Sequence, residues 1–185
     1  MSAEIQFKQG KTPLGYLLIA AQAGELVYAE FGETPGSLLS QFRHNYPDSN
    51  DRPSVDSFLE RAWSAYENFL QEPEALYQIA VRVQGSEFQQ QVWSALLRMP
   101  TGTRQTYTSL AQSIGQPTAV RAVASACARN SIALRIPCHR ILRSDGALGG
   151  YRWGLALKQR LLNAERRFNE ARRAQSSEAT EAVVD

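Results

Sequence analysis

Two cysteines and two histidines are all that this 185-residue chain holds of either type. That scarcity excludes a good deal. Cys127 and Cys138 cannot build a disulfide framework, and with only His44 and His139 beside them they are too sparse for a zinc site. No apolar run reaches the roughly 18 residues of a membrane span, and the N-terminus lacks the basic-then-apolar pattern of a signal peptide. A soluble cytoplasmic protein, working without a protein-held metal, is expected.

What the chain does hold is a hydrophobic fraction of 43%, enough for one domain or for two small ones sharing an interface. Its net charge of +2 hides an uneven distribution. Residues 1–85 carry 6 Lys/Arg against 11 Asp/Glu, residues 86–165 carry 10 against 3, and the tail from 166 carries 4 against 4. A basic field over one half suits a polyanion, most simply nucleic acid, although a solvated basic face with no partner has the same composition.

The first half opens as an antiparallel meander. Ile5 and Phe7 alternate with polar neighbours, and the runs Tyr16–Ala21 and Leu26–Phe31 flank a turn at Ala23-Gly24-Glu25. After the breaker Thr34-Pro35-Gly36 a short helix runs from Ser37 to about Asn45, and the polar stretch Pro47–Pro53 reads as a loop. Val55, Leu59, Ala62, Tyr66 and Phe69 then recur at helical spacing, stopping before Pro73, and Gln78–Val83 reads as a further strand. This half carries no recognisable chemistry, and His44, set among polar residues, reads as a surface histidine.

Gln84-Gly85-Ser86 marks a boundary. Ser86 with Gln89 forms a capping-box start, and Phe88, Val92, Leu96 and Met99 line one helical face as far as Pro100. Past Gly102, Tyr107–Ile114 is a short helix closed by Gly115, and Pro117 can open a second helix reaching about Asn130. Helix, glycine turn, helix is the helix-turn-helix pattern. Ala119, Ala122, Ala124, Ala126 and Ala128 make the second helix slim, which suits either close approach to a groove or tight packing on another helix. Cys127 reads as a small core filler within it. Leu148–Gly154 is a glycine-rich loop with two aromatics, Leu155 to about Glu165 is a last helix, and the sequence from Arg166 to Asp185 is expected to fray into disorder.

The most informative stretch is Ile136-Pro137-Cys138-His139-Arg140-Ile141. A thiol becomes a strong nucleophile as thiolate, which a neighbouring imidazole with a partner of its own can generate. Adjacent side chains on an extended segment face opposite ways, so the backbone must turn there or a water must bridge the two groups. By itself the dipeptide is weak evidence and is better explained by a buried cysteine beside an exposed histidine.

Tyr107, Arg121-Ala122-Val123, Asn130, Pro137-Cys138-His139-Arg140, Gly150-Tyr151, Lys158 and Leu161-Leu162 with Glu165 resemble, in order and spacing, the O6-alkylguanine-DNA alkyltransferases. The resemblance is dense from Phe88 to Glu165 and closest to the C-terminal domain of bacterial Ada proteins, through Phe88–Trp93, Arg121–Cys127 and Gly150–Gly154. It implies an α/β (α+β) protein in which a small N-terminal antiparallel-sheet unit of RNase H-like build, residues 1–85, packs on a mainly helical, winged-helix-like unit, residues 86–165, with 166–185 as a tail.

The activity implied is DNA repair by a single transfer of the alkyl group of O6-alkylguanine to Cys138, with O4-methylthymine as a further candidate substrate. The target nucleotide would be rotated out of the duplex. In the family the helix-turn-helix enters the minor groove; here Thr118, Ala119, Arg121, Ala122 and Arg129 would face DNA, Arg121 filling the vacated stack. Glu165 would orient His139, which acts on the Cys138 thiol through a water. Asn130 would brace the turn, and Tyr107 would hydrogen-bond the base at N3. The pocket would be formed by Ile141, Tyr151, Arg152, Trp153 and Lys158, with carbonyls of Cys138 and Ile141 accepting from the base. No cofactor is needed, and the protein would act as a monomer.

Ser131 stands where many relatives have proline. Trp153 stands where several have a small residue; it would narrow the pocket against bulky alkyl groups, or alternatively sit at the loop tip. The metal-binding cysteine cluster and regulator domain of full-length Ada proteins are absent, so repair without transcriptional control is expected. Two rivals use the same residues differently: a lesion binder without transfer, which would lack Cys138, and a Cys-His hydrolase acting on a soluble substrate, which leaves Arg121 and the basic half unexplained.

Overall fold

The computed structural model describes residues 4–47, 49 and 56–181, the last five by their backbone. Val55 and most of the expected Pro47–Pro53 loop lie outside the described residues. Strands β1 (Gln6–Thr12), β2 (Gly15–Gln22) and β3 (Glu25–Gly32) form the expected meander in the order β1-β2-β3. The β2–β3 turn places Ala23 and Gly24 at φ 53° and 74°. A two-residue hairpin loop demands this left-handed pair, because its twist must match that of the strands. Both faces of the sheet are covered, which is why β2 reads as an almost unbroken apolar run. Leu18, Ala20 and Tyr28 pack with Leu38 and Phe42 of α1 (Pro35–Asn45), while Leu17, Ile19 and Ala29 join the main core with Leu59, Ala62 and Tyr66 of α2 (Ser57–Glu67).

The expected strand at Gln78–Val83 is not one. A short helix α3 (Pro73–Tyr77) precedes it, because Pro73 suits a first helical turn. A single parallel bridge, Leu26 to Val81, ties residues 78–83 to β3. Further along that edge, β3 is met by the second half: Ala29 N donates to Ser131 O and Ala133 N to Ala29 O, at 2.9 and 2.8 Å. One continuous hydrophobic core therefore spans both halves of the chain.

In the second half the Ser86/Gln89 capping box starts α4 (Glu87–Leu97). Helices α5 (Tyr107–Ser113) and α6 (Val120–Ala128) pack against it, Trp93 donating its indole N–H to Ala126 O at 3.0 Å. Pro117 does not open α6. It lies in a turn closed by Ala119 N to Gln116 O at 2.9 Å, where its fixed φ serves the turn, and the helix starts at Val120. A two-residue parallel pair, β4 (Gln105–Thr106) with β5 (Ile141–Leu142), ties the entry of α5 to the chain just past Cys138.

The last helix, α7, runs Leu155–Glu181 and does not fray after Glu165. Its continuation is rich in Ala, Arg and Glu, all good helix formers, and is anchored by Asn169 to Thr101 O and Arg172 to Glu74. The final four residues lie outside the described ones. Among the described residues no helix is long and apolar enough to cross a membrane.

Candidate active site

The Cys-His stretch is held from both halves. Asn130, fully buried just past α6, accepts from Ile132 N through Oδ1 at 2.8 Å and donates through Nδ2 to Ile136 O at 3.0 Å and to Cys138 Sγ at 3.3 Å. Tyr66 of α2 donates to Ala133 O at 2.7 Å, and Arg135 Nε to Ile79 O at 2.7 Å. These ties hold Leu134 at φ 62°. A bulky side chain in that left-handed region costs about 1–3 kcal/mol and persists only where its surroundings over-determine it. Cys138–Arg140 then forms a single 3₁₀ turn, so the backbone does bend and the dipeptide is not extended.

That turn sends His139 and Arg140 away from solvent, onto one carboxylate. Glu165 Oε1 accepts from His139 Nε2 at 2.8 Å, Arg140 Nη2 at 2.8 Å and Tyr77 Oη at 2.7 Å; Oε2 accepts from Arg140 Nε at 3.0 Å and from Gly102 N at 2.9 Å. His139 and Glu165 are fully buried. Burial alone would raise Glu165, but His139 and the Arg140 guanidinium override it and hold the carboxyl well below its usual range. Burial lowers His139, outweighing the raising effect of Glu165, so at neutral pH the ring is neutral. With an ionised carboxylate as partner, Nε2 carries the hydrogen, and Nδ1, which has no protein partner among the described residues, is the basic nitrogen. Gly102 is required at its corner: its φ is 75°, and a Cβ there would collide with Asn169.

Cys138 opens onto a cavity of about 500 Å³ with Tyr107, Tyr151, Arg152, Arg143 and Cys127 around it. Burial pushes the Cys138 thiol up to about 11, the Asn130 hydrogen bond and the Lys158 charge pulling the other way, so the resting group is protonated. Burial also raises the Cys127 thiol and takes Tyr107 to about 12. Cys127 is buried as expected of a core filler, yet it faces the cavity. Of the expected pocket residues, Tyr151 and Arg152 line it, whereas Ile141, Lys158 and Trp153 do not. The Ile141 side chain is sealed in the core. Lys158 Nζ donates to the carbonyls of Ile141 at 2.6 Å and Leu148 at 2.5 Å, tying the glycine-rich stretch to α7.

Trp153 neither lids the cavity nor caps the loop tip. Its ring packs edge-on against Tyr151, centroids 5.2 Å apart, and its N–H donates to Glu30 Oε2 of β3 at 2.6 Å. A buried indole N–H needs an acceptor, and Glu30 supplies one behind the Tyr151 wall. Arg152 Nη2 lies 2.8 Å from Glu30 Oε1, out of line for a hydrogen bond but an ion pair by distance.

Outside the cavity mouth, α6 presents Arg121, Ala122, Ser125, Ala128 and Arg129 to solvent, with Thr118 exposed just before it and Ala119 half-buried. Of its alanines only Ala126 is buried, so most of them thin an open face. Arg121 has no hydrogen-bond or ion-pair partner among the described residues. Ala124 and Ala128 border the cavity, so the helix face and the thiol share one opening.

Sequence reasoning passed over Tyr77, Glu30 and the structural work of Arg140, which is 1% exposed. Tyr77 and Glu30 lie 88 and 123 residues from their partners, beyond any local pattern. The one available signal was an arginine amid an apolar run, which demands a buried counter-charge.

Residues 87–167 match the family described as 6-O-methylguanine DNA methyltransferase, DNA binding domain. The chain is 36% identical over 155 residues to a methylated-DNA–protein-cysteine methyltransferase of Methanosarcina barkeri, covering 84% of this chain and 93% of that protein. It is 42% identical over 139 residues to the regulatory protein Ada of Salmonella typhimurium, 75% of this chain but 39% of that protein, so it spans well under half of that relative. Among solved structures, Mycobacterium tuberculosis OGT in complex with DNA superimposes with a TM-score of 0.70 at 27% identity, covering 88% of this chain and 94% of that one.

Proposed function

The chain belongs to the methylated-DNA–protein-cysteine methyltransferase family, and we propose that it repairs O6-alkylguanine in duplex DNA by moving the alkyl group once onto Cys138. The observation that carries this is the Glu165–His139 pair, buried beside a protonated thiol that opens on a cavity under an exposed basic helix.

The exposed face of α6 enters the minor groove, where its alanines allow close approach and its arginines meet phosphates. The damaged nucleotide rotates into the cavity, and Arg121, free of internal partners among the described residues, takes its place in the stack. The Cys138 proton passes through a water to His139 Nδ1, and Glu165 stabilises the imidazolium that forms. Sγ then bonds to the alkyl carbon while the carbon–O6 bond breaks, its electron pair leaving with guanine. Tyr107, protonated across the working range, donates to N3 as that charge develops. The carbonyls of Cys138 and Ile141 accept from the exocyclic amine with their second lone pairs, since each already accepts one internal donor. The thioether is stable, so each molecule acts once.

Mixing the protein with a duplex carrying O6-methylguanine tests this by intact mass and peptide mapping. The expected result is one methyl per molecule, on Cys138 and not on Cys127. Unmodified protein with unchanged DNA would overturn the assignment, as would label on Cys127.

A further inference from the structure

The wall segment 148–153 is tethered by two buried charges. Lys158 of α7 holds its start through the Leu148 carbonyl, and Glu30 of β3 holds its end through the side chains of Arg152 and Trp153. The first tether stays within the second half of the chain. The second reaches across 123 residues to a strand that carries none of the reacting groups.

We propose that Glu30 is a positioning residue that latches the Tyr151–Trp153 wall shut and so limits the size of alkyl group the cavity admits. This rests on the reading that the cavity receives the alkyl group. Three observations support it. Tyr151 and Arg152 line the cavity, so the side chains next to the latch bound its volume directly. Trp153 backs Tyr151 edge-on, so a fixed indole also fixes the tyrosine ring. Glu30 is 2% exposed, and among the described residues no polar group other than Arg152 and Trp153 reaches its carboxylate oxygens, so its burial serves that segment.

The latch also has a setting. Burial raises the Glu30 carboxyl to about 7, against the opposing charge of Arg152 and the Trp153 hydrogen bond, so it gains or loses its charge near neutrality. The groups coupled to it from the surrounding elements are Arg152 in the wall, Tyr28 on its own strand, Tyr66 of α2 and Cys138. The tyrosines and Cys138 are all raised above their ordinary values and stay protonated there, leaving Glu30 as the titrating member.

The test compares wild type, Glu30→Gln and Glu30→Ala as full chains on two duplexes, one carrying O6-methylguanine and one O6-benzylguanine. Adduct formation is followed by intact mass. Expected is a benzyl-to-methyl rate ratio raised roughly tenfold in Glu30→Ala and less in Glu30→Gln, the size of effect that a change in pocket fit produces. In wild type the ratio should rise as pH climbs through 7, because the buried carboxyl holds its proton more tightly latched than released, with no such step in Glu30→Gln. An unchanged ratio, or equal loss on both duplexes, would overturn the proposal, because a merely structural residue would slow both. Amide hydrogen exchange of residues 148–154 without DNA reads the latch independently of chemistry. It should quicken in Glu30→Ala, and unchanged exchange overturns the latch. If wild type alkylates with neither duplex, the alkyl-transfer reading fails instead, while the exchange result still decides the latch.

Discussion

Glu165 and Glu30 are both buried carboxylates, one from each half of the chain, and they titrate in opposite directions. Glu165 meets His139, a two-pronged Arg140, Tyr77 and the Gly102 N–H, and is held below the usual carboxylate range. Glu30 meets one indole N–H and one guanidinium that is itself a third exposed, and burial lifts it to about 7. Burial penalises both charges; the number and geometry of donors decide which side wins. A fully satisfied carboxylate makes a rigid post for the histidine. An under-satisfied one makes a tether that can let go.

The severest challenge to this contrast is Glu165→Ala. It leaves Arg140 and His139 buried without their counter-charge, so unfolding in urea should show a loss of about 3–5 kcal/mol, and methyl transfer should vanish. A loss below about 1 kcal/mol would mean the cluster is not a rigid post.

The pH dependence separates the two carboxylates by sign. Glu165, whose folded value is depressed, contributes stability that is present above the unfolded carboxylate range and lost as pH falls through that range towards the folded value. Glu30, raised from 4.5 to about 7, contributes stability present below 4.5 and lost as pH climbs through 7. The stability of wild type relative to Glu30→Gln should therefore fall by roughly 1–3 kcal/mol between pH 4 and 8, while that relative to Glu165→Gln should rise as pH increases from 2 to 5. Denaturant midpoints across the pH series check both slopes, and parallel slopes would refute the distinction.

Tyr77→Phe removes a single donor from Glu165 and should cost about 1–2 kcal/mol in the same unfolding assay. Methyl transfer should slow but survive, since His139 and Arg140 keep the carboxylate in place. An effect as large as that of Glu165→Ala would put Tyr77 at the centre of the cluster.

Arg121→Ala should move stability least, within about 0.5 kcal/mol, because an exposed side chain without internal partners is lost. Repair of duplex DNA should nevertheless fall far more than reaction with the free alkylated base. Equal losses on both substrates would place Arg121 in the fold or the pocket.

Much of the architecture was legible along the chain because its causes are local. The meander followed from the apolar runs of β2 and β3 on either side of the Ala23-Gly24-Glu25 turn, α4 from the Ser86/Gln89 box, and α5 from the spacing between Tyr107 and Gly115. The resemblance put Glu165 behind His139, and those two side chains do meet in the fold, at 2.8 Å. Where local signals competed, the reading slipped: Pro117 serves a turn and not a helix start, Gln78–Val83 makes one bridge and not a strand, and good helix formers carry α7 on to Glu181.

Local pattern alone was enough to say where most helices and strands lie, because periodicity and caps act within about ten residues, whereas the roles of the site residues came from the family resemblance. The part played by the first half was settled by packing in three dimensions. Tyr77 on Glu165, Tyr66 on Ala133 and Glu30 on Trp153 are contacts across 88, 67 and 123 residues, set by where β3, α2 and α3 pack. Packing also turned Trp153 from an expected pocket residue into a tethered backing for Tyr151. A buried polar group must find a partner, and which partner lies within reach depends on how the elements pack in space.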